Sequence, residues 1–334
     1  MKVKYYPYQP HCFAFGGFDM QMINTLQAVI NAGVNAGKLD NWSRDNDFDI
    51  IHLWGVGRPN FELIDWAKKS GKDIVATILS PYHDSSISKL GYYYRHFQVR
   101  QLIHYYKKID KIIVLNDLQL KVLTEYYKVP ISKMEIIPNI VEQKYFETPA
   151  LDFSKKYGAH NYVLCTGNIC PRKNQYNLAL ACINLHVNLV LIGNILDGEA
   201  SYGESLAALA ADHKNITWIK ELPKASEDLV AAYYYCALFA LPSKNETQPI
   251  SALEAMAMRK PLILMDRDYA RQSYYKGAIL CKSAKVKDIK IALQKAMTIK
   301  TPPEENKDIL NCKAEKVGES YRLCYEKLVK NRMI

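Results

Sequence analysis

The stretch Ser243-Lys-Asn-Glu246-Thr-Gln-Pro249-Ile-Ser-Ala-Leu-Glu254-Ala-Met-Ala257 carries two carboxylates with seven residues between them. It lies between two apolar runs, 238–242 and 261–265, each of which reads as a buried strand. The polar residues therefore predict a loop that leaves one strand at its carboxyl end and feeds a helix. In open α/β sheets that is where ligands bind. Pro249 suits the first helical turn, because its missing N–H would have no partner there. Ile250, Ser251 and Ala252 are then expected to point free N–H groups out of the helix start, an arrangement that favours phosphate. Glu254, about one turn further in, is placed to meet a ligand's hydroxyls, and Glu246 sits in the loop nearer a reacting centre. Taken alone, this spacing is more often a plain strand–loop–helix connector with solvated glutamates.

Outward from this stretch, apolar runs alternate with helical patterns. Strands are expected at 50–54, 73–79, 111–115, 162–165, 188–192, 216–219 and 237–241. Their continuous Val/Ile/Leu character suggests strands buried on both faces, as in parallel sheets, and the helical segments between them imply βαβ units. Pro138 and Pro149 frame a polar, aperiodic stretch where a domain break is expected. The expectation is therefore an α/β chain of two doubly wound, Rossmann-like domains, residues 1–147 and 148–317. Near the end, Tyr321, Cys324, Tyr325 and Leu328 fall on one helical face.

Length and composition agree. The chain has 334 residues, 49% hydrophobic and 23% charged, enough for two sizeable cores. No apolar run reaches the roughly 18 residues of a membrane-spanning helix, and the first residues lack the apolar core of a signal peptide. The eight cysteines form no C-x-x-C pair, so neither a zinc site nor disulfides are expected. The expected compartment is the cytoplasm.

Three further segments accompany the Glu246/Glu254 loop. Gly16-Gly17 precedes a helical pattern. Ile136-Ile-Pro-Asn-Ile-Val141 follows at the expected domain break. Val163-Leu-Cys-Thr-Gly-Asn-Ile-Cys-Pro-Arg172-Lys173-Asn174 reads as strand, glycine turn and basic pair. Together the four segments resemble the motifs of the retaining GT-B glycosyltransferases of family four, in family order. The resemblance implies a GT-B fold with two domains facing a central cleft, and a last helix, about 318–334, returning to the first domain. It implies transfer of a sugar from a UDP-, GDP- or ADP-sugar to a hydroxyl acceptor, a lipid-linked or cell-surface glycan among those such enzymes use. By the same resemblance Glu254 holds the ribose, Glu246 lies by the donor sugar, and Arg172 and Lys173 hold the diphosphate, joined by Gly17, Ile250 and Ser251. Leu222 stands near the base through its main chain. His83, after the 73–79 strand, falls where relatives often carry a histidine near the reacting centre. The chain departs from the pattern at Thr247-Gln248-Pro249, where relatives carry glycine, and at Asn168, where many carry arginine.

No cofactor is expected, since the nucleotide sugar is a substrate. Asp266-Arg-Asp268 matches a metal-binding D-x-D, but it follows the Glu254 helix, and no essential metal is expected. Net charge is +10, and residues 89–133 hold nine Lys/Arg against three Asp/Glu. A basic amphipathic helix there, with Phe97, Leu102 and Tyr105 on its apolar face, fits either an anionic membrane surface or a core-facing helix with a solvated basic side. A peripheral membrane site is accordingly one expectation, and nucleic acid is the weaker partner. Two rivals stay open at this point: a nucleotide-sugar epimerase on the same fold, and a non-enzymatic basic protein binding membrane or nucleic acid.

Overall fold

The apolar runs become strands of two parallel sheets, one in each of two units, and all but Ile216–Ile219 are inner strands. The computed structural model describes residues 1–13, 16–78, 99–223, 225–299 and 301–331; His83 and Phe97 lie outside the described residues. The first unit comprises Met1–Ile140 and Asn311–Ile334, the second Val141–Leu310. The division comes slightly before the 147/148 boundary expected from Pro138 and Pro149, and the first unit takes in residues 311–334 where about 318–334 was expected.

In chain order the first unit contains β1 (Lys2–Pro7), α1 (Gly17–Asn31), β2 (Asn35–Lys38), β3 (Ile50–Trp54), α2 (Phe61–Lys69), β4 (Asp73–Thr77), α3 (Val99–Lys108), β5 (Lys111–Val114), α4 (Asp117–Tyr126) and β6 (Met134–Ile136). Its six strands lie in the order β2-β1-β3-β4-β5-β6, every pair parallel. The order reverses between β1 and β3, so the loops after these strands diverge and leave room above the sheet. There the ring of Tyr8 packs over the backbone of Gly55 and Gly57. A Cβ on Gly57 would stand 2.8 Å from the Tyr8 hydroxyl.

The second unit contains α5 (Phe153–Tyr157), β7 (Tyr162–Thr166), α6 (Gln175–Leu185), β8 (Asn188–Ile192), α7 (Ala200–Asp212), β9 (Ile216–Ile219), α8 (Glu227–Tyr235), β10 (Leu238–Leu241), α9 (Ile250–Ala257), β11 (Leu262–Met265), β12 (Ile279–Cys281), α10 (Val286–Met297) and α11 (Lys307–Leu310). Its strand order is β12-β11-β10-β7-β8-β9, again all parallel. The reversal lies between β7 and β10. These strands are buried along their whole length, because helices cover both faces of the sheet.

The last helix, α12 (Ala314–Asn331), belongs to the first unit and lies along α1. The approach is close: a Cβ on Gly318 would stand 2.4 Å from the carbonyl oxygen of Ala28. Its inner face adds hydroxyls to a buried network. Tyr325 shares hydrogen bonds with Tyr5 (2.7 Å) and with Nδ1 of His52 (2.6 Å). Nε2 of His52 meets Thr77 Oγ1 at 2.9 Å, and Thr77 meets the Tyr321 hydroxyl at 3.0 Å. His52 thus sits in the middle of β3, fully buried.

The basic segment has a structural use where it is described. On α3, Tyr105 stacks on Phe61 (3.9 Å between ring centres), Tyr106 is buried against Tyr127, and Leu102 and Ile103 pack on the core. Lys108 pairs with Asp65. Gln101, His104 and Lys107 face solvent. No helix among the described residues is long and apolar enough to cross a membrane.

Candidate functional site

Because β7 and β10 are neighbours, the loops at their carboxyl ends meet. The β7 loop carries Arg172 and Lys173, and the β10 loop carries Glu246. Hydrogen bonds to the main chain stitch them together: Lys244 N–H donates to the Arg172 carbonyl (2.8 Å), and the Ser243 hydroxyl donates to the same oxygen (3.3 Å). Arg172 Nη1 donates to the Asn245 carbonyl (2.7 Å). The β10 loop is also held from its far side, where Gln272 Nε2 donates to the Thr247 carbonyl at 2.8 Å.

These constraints bring two cations onto one carboxylate. Glu246 Oε1 lies 2.8 Å from Lys173 Nζ and 2.8 Å from Arg172 Nη1. Lys173 and Glu246 are nearly enclosed, with 12% and 11% of their side chains exposed, whereas Arg172 is half exposed at 48%. Burial pushes the Glu246 carboxyl up, but Lys173, then Arg172, together with hydrogen bonds from Lys173 and Ser243, outweigh it and hold the group below its ordinary value. The cluster is a nearly enclosed carboxylate shared by two cations.

The floor of the site depends on two glycines. Gly167, the turn after β7, has φ +123°, and its backbone leaves room for Lys173, whose Cε and Nζ would lie 3.7 Å from a Cβ placed there. Gly193, after β8, has φ +150° and is pressed against Gly167, so that a Cβ would stand 2.3 Å from the Gly167 carbonyl oxygen. Backbone cannot yield as a flexible side chain does. Gly193→Ala is therefore expected to lower the melting temperature and to weaken anion binding together, through roughly 1–3 kcal/mol of backbone strain plus the clash. Gly198→Ala is the control, since Gly198 has φ +86° but open space around its Cβ position. A Gly193→Ala protein no less stable than the Gly198→Ala protein would contradict this account.

The helix after Glu246 starts one residue later than Pro249 suggests. Pro249 is the cap, and α9 begins at Ile250. The Ala252 N–H, expected to be free, donates to the Pro249 carbonyl at 3.1 Å. Ile250 and Ser251 remain as the first-turn N–H groups without an intrahelical acceptor, as their position in a helix dictates. Glu254, one turn in, is only 6% exposed and accepts a hydrogen bond from the Tyr233 hydroxyl at 2.7 Å. Leu222 is half-buried in the connection between β9 and α8.

Gly17 opens α1 in the first unit. That helix start already has an anion: Asp19, 2% exposed, accepts from the Gly16 N–H at 2.9 Å. His11 and Gln9 approach the same carboxylate at 3.3 and 3.2 Å. Asp266 and Asp268 both turn to Arg271, at 2.5 and 3.9 Å. No group of three or more metal-ligating side chains occurs among the described residues. The cysteines are free; Cys12 is exposed and the others are buried, and burial pushes Cys165 up to about 12. Two residues escaped the sequence reading. Tyr233 and Tyr145 lie near Glu254; nothing in the local pattern of a tyrosine-rich helix marks Tyr233 among its neighbours, and Tyr145 stands in a short turn far off in sequence.

Comparison with known proteins follows the same division. A family model described as "Glycosyltransferase Family 4" matches residues 24–144, and one described as "Glycosyl transferases group 1" matches residues 149–314. The structure is similar to that of Anabaena HepE solved in complex with UDP and glucose, at 14% identity over 98% of this chain and 99% of that one (TM-score 0.75). It is similar to sucrose-phosphate synthase from Thermosynechococcus elongatus, at 13% identity over 99% and 100% (TM-score 0.76). In sequence the chain is 23% identical over 236 residues to an alpha-galactosylglucosyldiacylglycerol synthase of Streptococcus pneumoniae. That match covers 66% of this chain and 61% of the relative's length.

Proposed function

The chain belongs to the family-four glycosyltransferases of GT-B fold, and we propose that it moves a sugar from a nucleoside-diphosphate sugar to a hydroxyl acceptor with retention of anomeric configuration. The observation that carries this reading is the Arg172–Lys173–Glu246 cluster at the β7/β10 reversal point.

Sugar transfer requires that a departing diphosphate be stabilised as its bond to the sugar breaks. An enclosed cation with a second at the rim suits that charge better than the same groups free in water, because little reorganisation is needed when it develops. Lys173 supplies a point charge, and Arg172 supplies a planar donor pair at the rim. The N–H groups of Ile250 and Ser251 add a helix start facing an anion. Glu254, on the same helix, takes the ribose hydroxyls, and the main chain near Leu222 takes the base. Glu246, bound to both cations, sits where the sugar joins the phosphate. Its tight pairing makes it a poor covalent nucleophile, which favours attack on the same face, assisted by the leaving phosphate. The acceptor is read as a lipid-linked or cell-surface glycan hydroxyl, in line with the name of the pneumococcal relative.

The test is a thermal-shift screen against UDP-, GDP- and ADP-sugars. A donor that binds only the folded protein at a hundred times its Kd adds about 2.7 kcal/mol of stability. One nucleotide series is expected to raise the melting temperature clearly above the others. No shift with any of the three, in a protein that unfolds cooperatively, would sink the proposal.

A further inference from the structure

Tyr233 is fully buried on α8, yet its hydroxyl is engaged twice. It donates to Glu254 Oε2 at 2.7 Å, and it meets Thr166 Oγ1 at 2.6 Å. With its one proton given to the carboxylate, the Tyr233 oxygen accepts from the Thr166 hydroxyl. The ring has no freedom to leave: Phe239 stacks on one face (5.4 Å, 15°), and Tyr145 meets it edge-on (5.4 Å, 88°). Burial, then the Glu254 charge, raises the Tyr233 hydroxyl well above its ordinary value, so it stays a proton donor at any working pH. The Tyr145 hydroxyl is buried near the same carboxylate, and burial, then that charge, push it up as well. Thr166 ends β7, the strand whose loop carries Arg172 and Lys173.

We propose that Tyr233 is a positioning residue for donor binding, oriented by Thr166, which holds the Glu254 carboxylate in the rotamer that meets the ribose. This rests on the reading that Glu254 binds the ribose. A glutamate side chain has three rotatable bonds, and a ligand that must order them binds more weakly than one that finds them ordered. A carboxylate with 6% exposure also needs donors before any ligand arrives, and a hydroxyl with its own partner behind it supplies one without competing for the ligand face. The relay joins three elements. Thr166 on β7 orients Tyr233 on α8, and Tyr233 orients Glu254 on α9, so the diphosphate-side strand and the ribose-side helix are kept in register.

The test uses Tyr233→Phe, Thr166→Val, Glu254→Ala and the Tyr233→Phe/Glu254→Ala pair, each titrated with UDP, GDP and ADP and followed by steady-state kinetics with the matching sugar nucleotide. Tyr233→Phe is expected to weaken nucleotide binding and raise the donor KM about tenfold, with kcat within about twofold. Thr166→Val should do the same by about two- to threefold, since it loosens Tyr233 without touching the carboxylate. The paired variant should bind no worse than Glu254→Ala alone, because both changes remove one unit. A merely structural role would lower stability while leaving nucleotide affinity intact. Unchanged affinity in folded Tyr233→Phe, or additive losses in the pair, overturns the proposal. Should Tyr233→Phe not fold, unchanged affinity in folded Thr166→Val overturns it equally. Unchanged affinity in Glu254→Ala is a different result: it removes the ribose reading on which the proposal stands.

Discussion

Lys173→Ala is expected to lower kcat/KM about a hundred- to a thousandfold, the range seen when one preorganised donor to a developing anion is removed. Lys173 is the enclosed cation of the pair; Arg172 stands half in solvent, where its charge is screened. Arg172→Ala should therefore cost less, on the order of tenfold. Lys173→Arg should not fully restore activity, because a planar guanidinium spreads its charge where the compact ammonium concentrates it. Lys173→Ala also strips Glu246 of its enclosed cation. A carboxylate with 11% exposure then keeps Arg172 as its one cation, and the protein should lose stability as well as donor affinity. Glu246→Ala separates the two effects, since it leaves no orphaned anion and is expected to act mainly on turnover. Steady-state kinetics with the donor found by the thermal screen, alongside nucleotide titration, reads both. Wild-type kinetics in folded Lys173→Ala would contradict the site assignment.

Acid is expected to destabilise the first unit through His52. Burial pushes its imidazole down to about 3, from an ordinary value of 6.5, and the neutral ring serves both Tyr325 and Thr77. The sign follows from proton counts. Between those two values the unfolded chain binds a proton at this histidine that the folded chain refuses, so stability rises with pH across that window. Above pH 6.5 the group contributes no pH dependence, and as pH falls toward 3 it withdraws roughly 4–5 kcal/mol, about 3 of it by pH 4. Carboxylates such as Glu246, held low in the folded state, add their own loss only below about pH 4.3, as pH falls through their folded values. Denaturant unfolding from pH 7 to pH 4 checks this. His52→Gln should start less stable yet show a flatter curve between pH 6.5 and 4.5, where few carboxylates titrate. Parallel curves for the two proteins would show that His52 is not the titrating group.

Much of the sheet architecture was legible because buried strands write themselves locally. Ile50–Trp54, Asn188–Ile192 and Ile216–Ile219 have the bounds expected from their apolar runs. β1, β2, β6 and β12 were not read. β1 alternates charged and apolar residues over too short a span, with Val3 and Tyr5 inward and Lys2 and Lys4 outward, and β2 has almost no apolar content. The basic segment shows the opposite limit. Its aromatics at helical spacing fit a membrane face and a core face equally well, and only the packing of Tyr105 on Phe61 tells what the described part covers.

By itself the sequence determined two parallel α/β units, the loop-to-helix placement of Glu246 and Glu254, and the basic pair after a glycine turn. Each of these rests on periodicity and turn chemistry within about ten to twenty residues. Tertiary structure alone decided that β7 lies beside β10, and so that Lys173 and Arg172 close on Glu246. It alone decided that Tyr233 stands behind Glu254, and that Tyr325 reaches His52 from 273 residues away. The physical reason is that strand order is set by which crossovers bury the most surface over the whole chain. No local window records the neighbour that a side chain will acquire once the sheet is assembled.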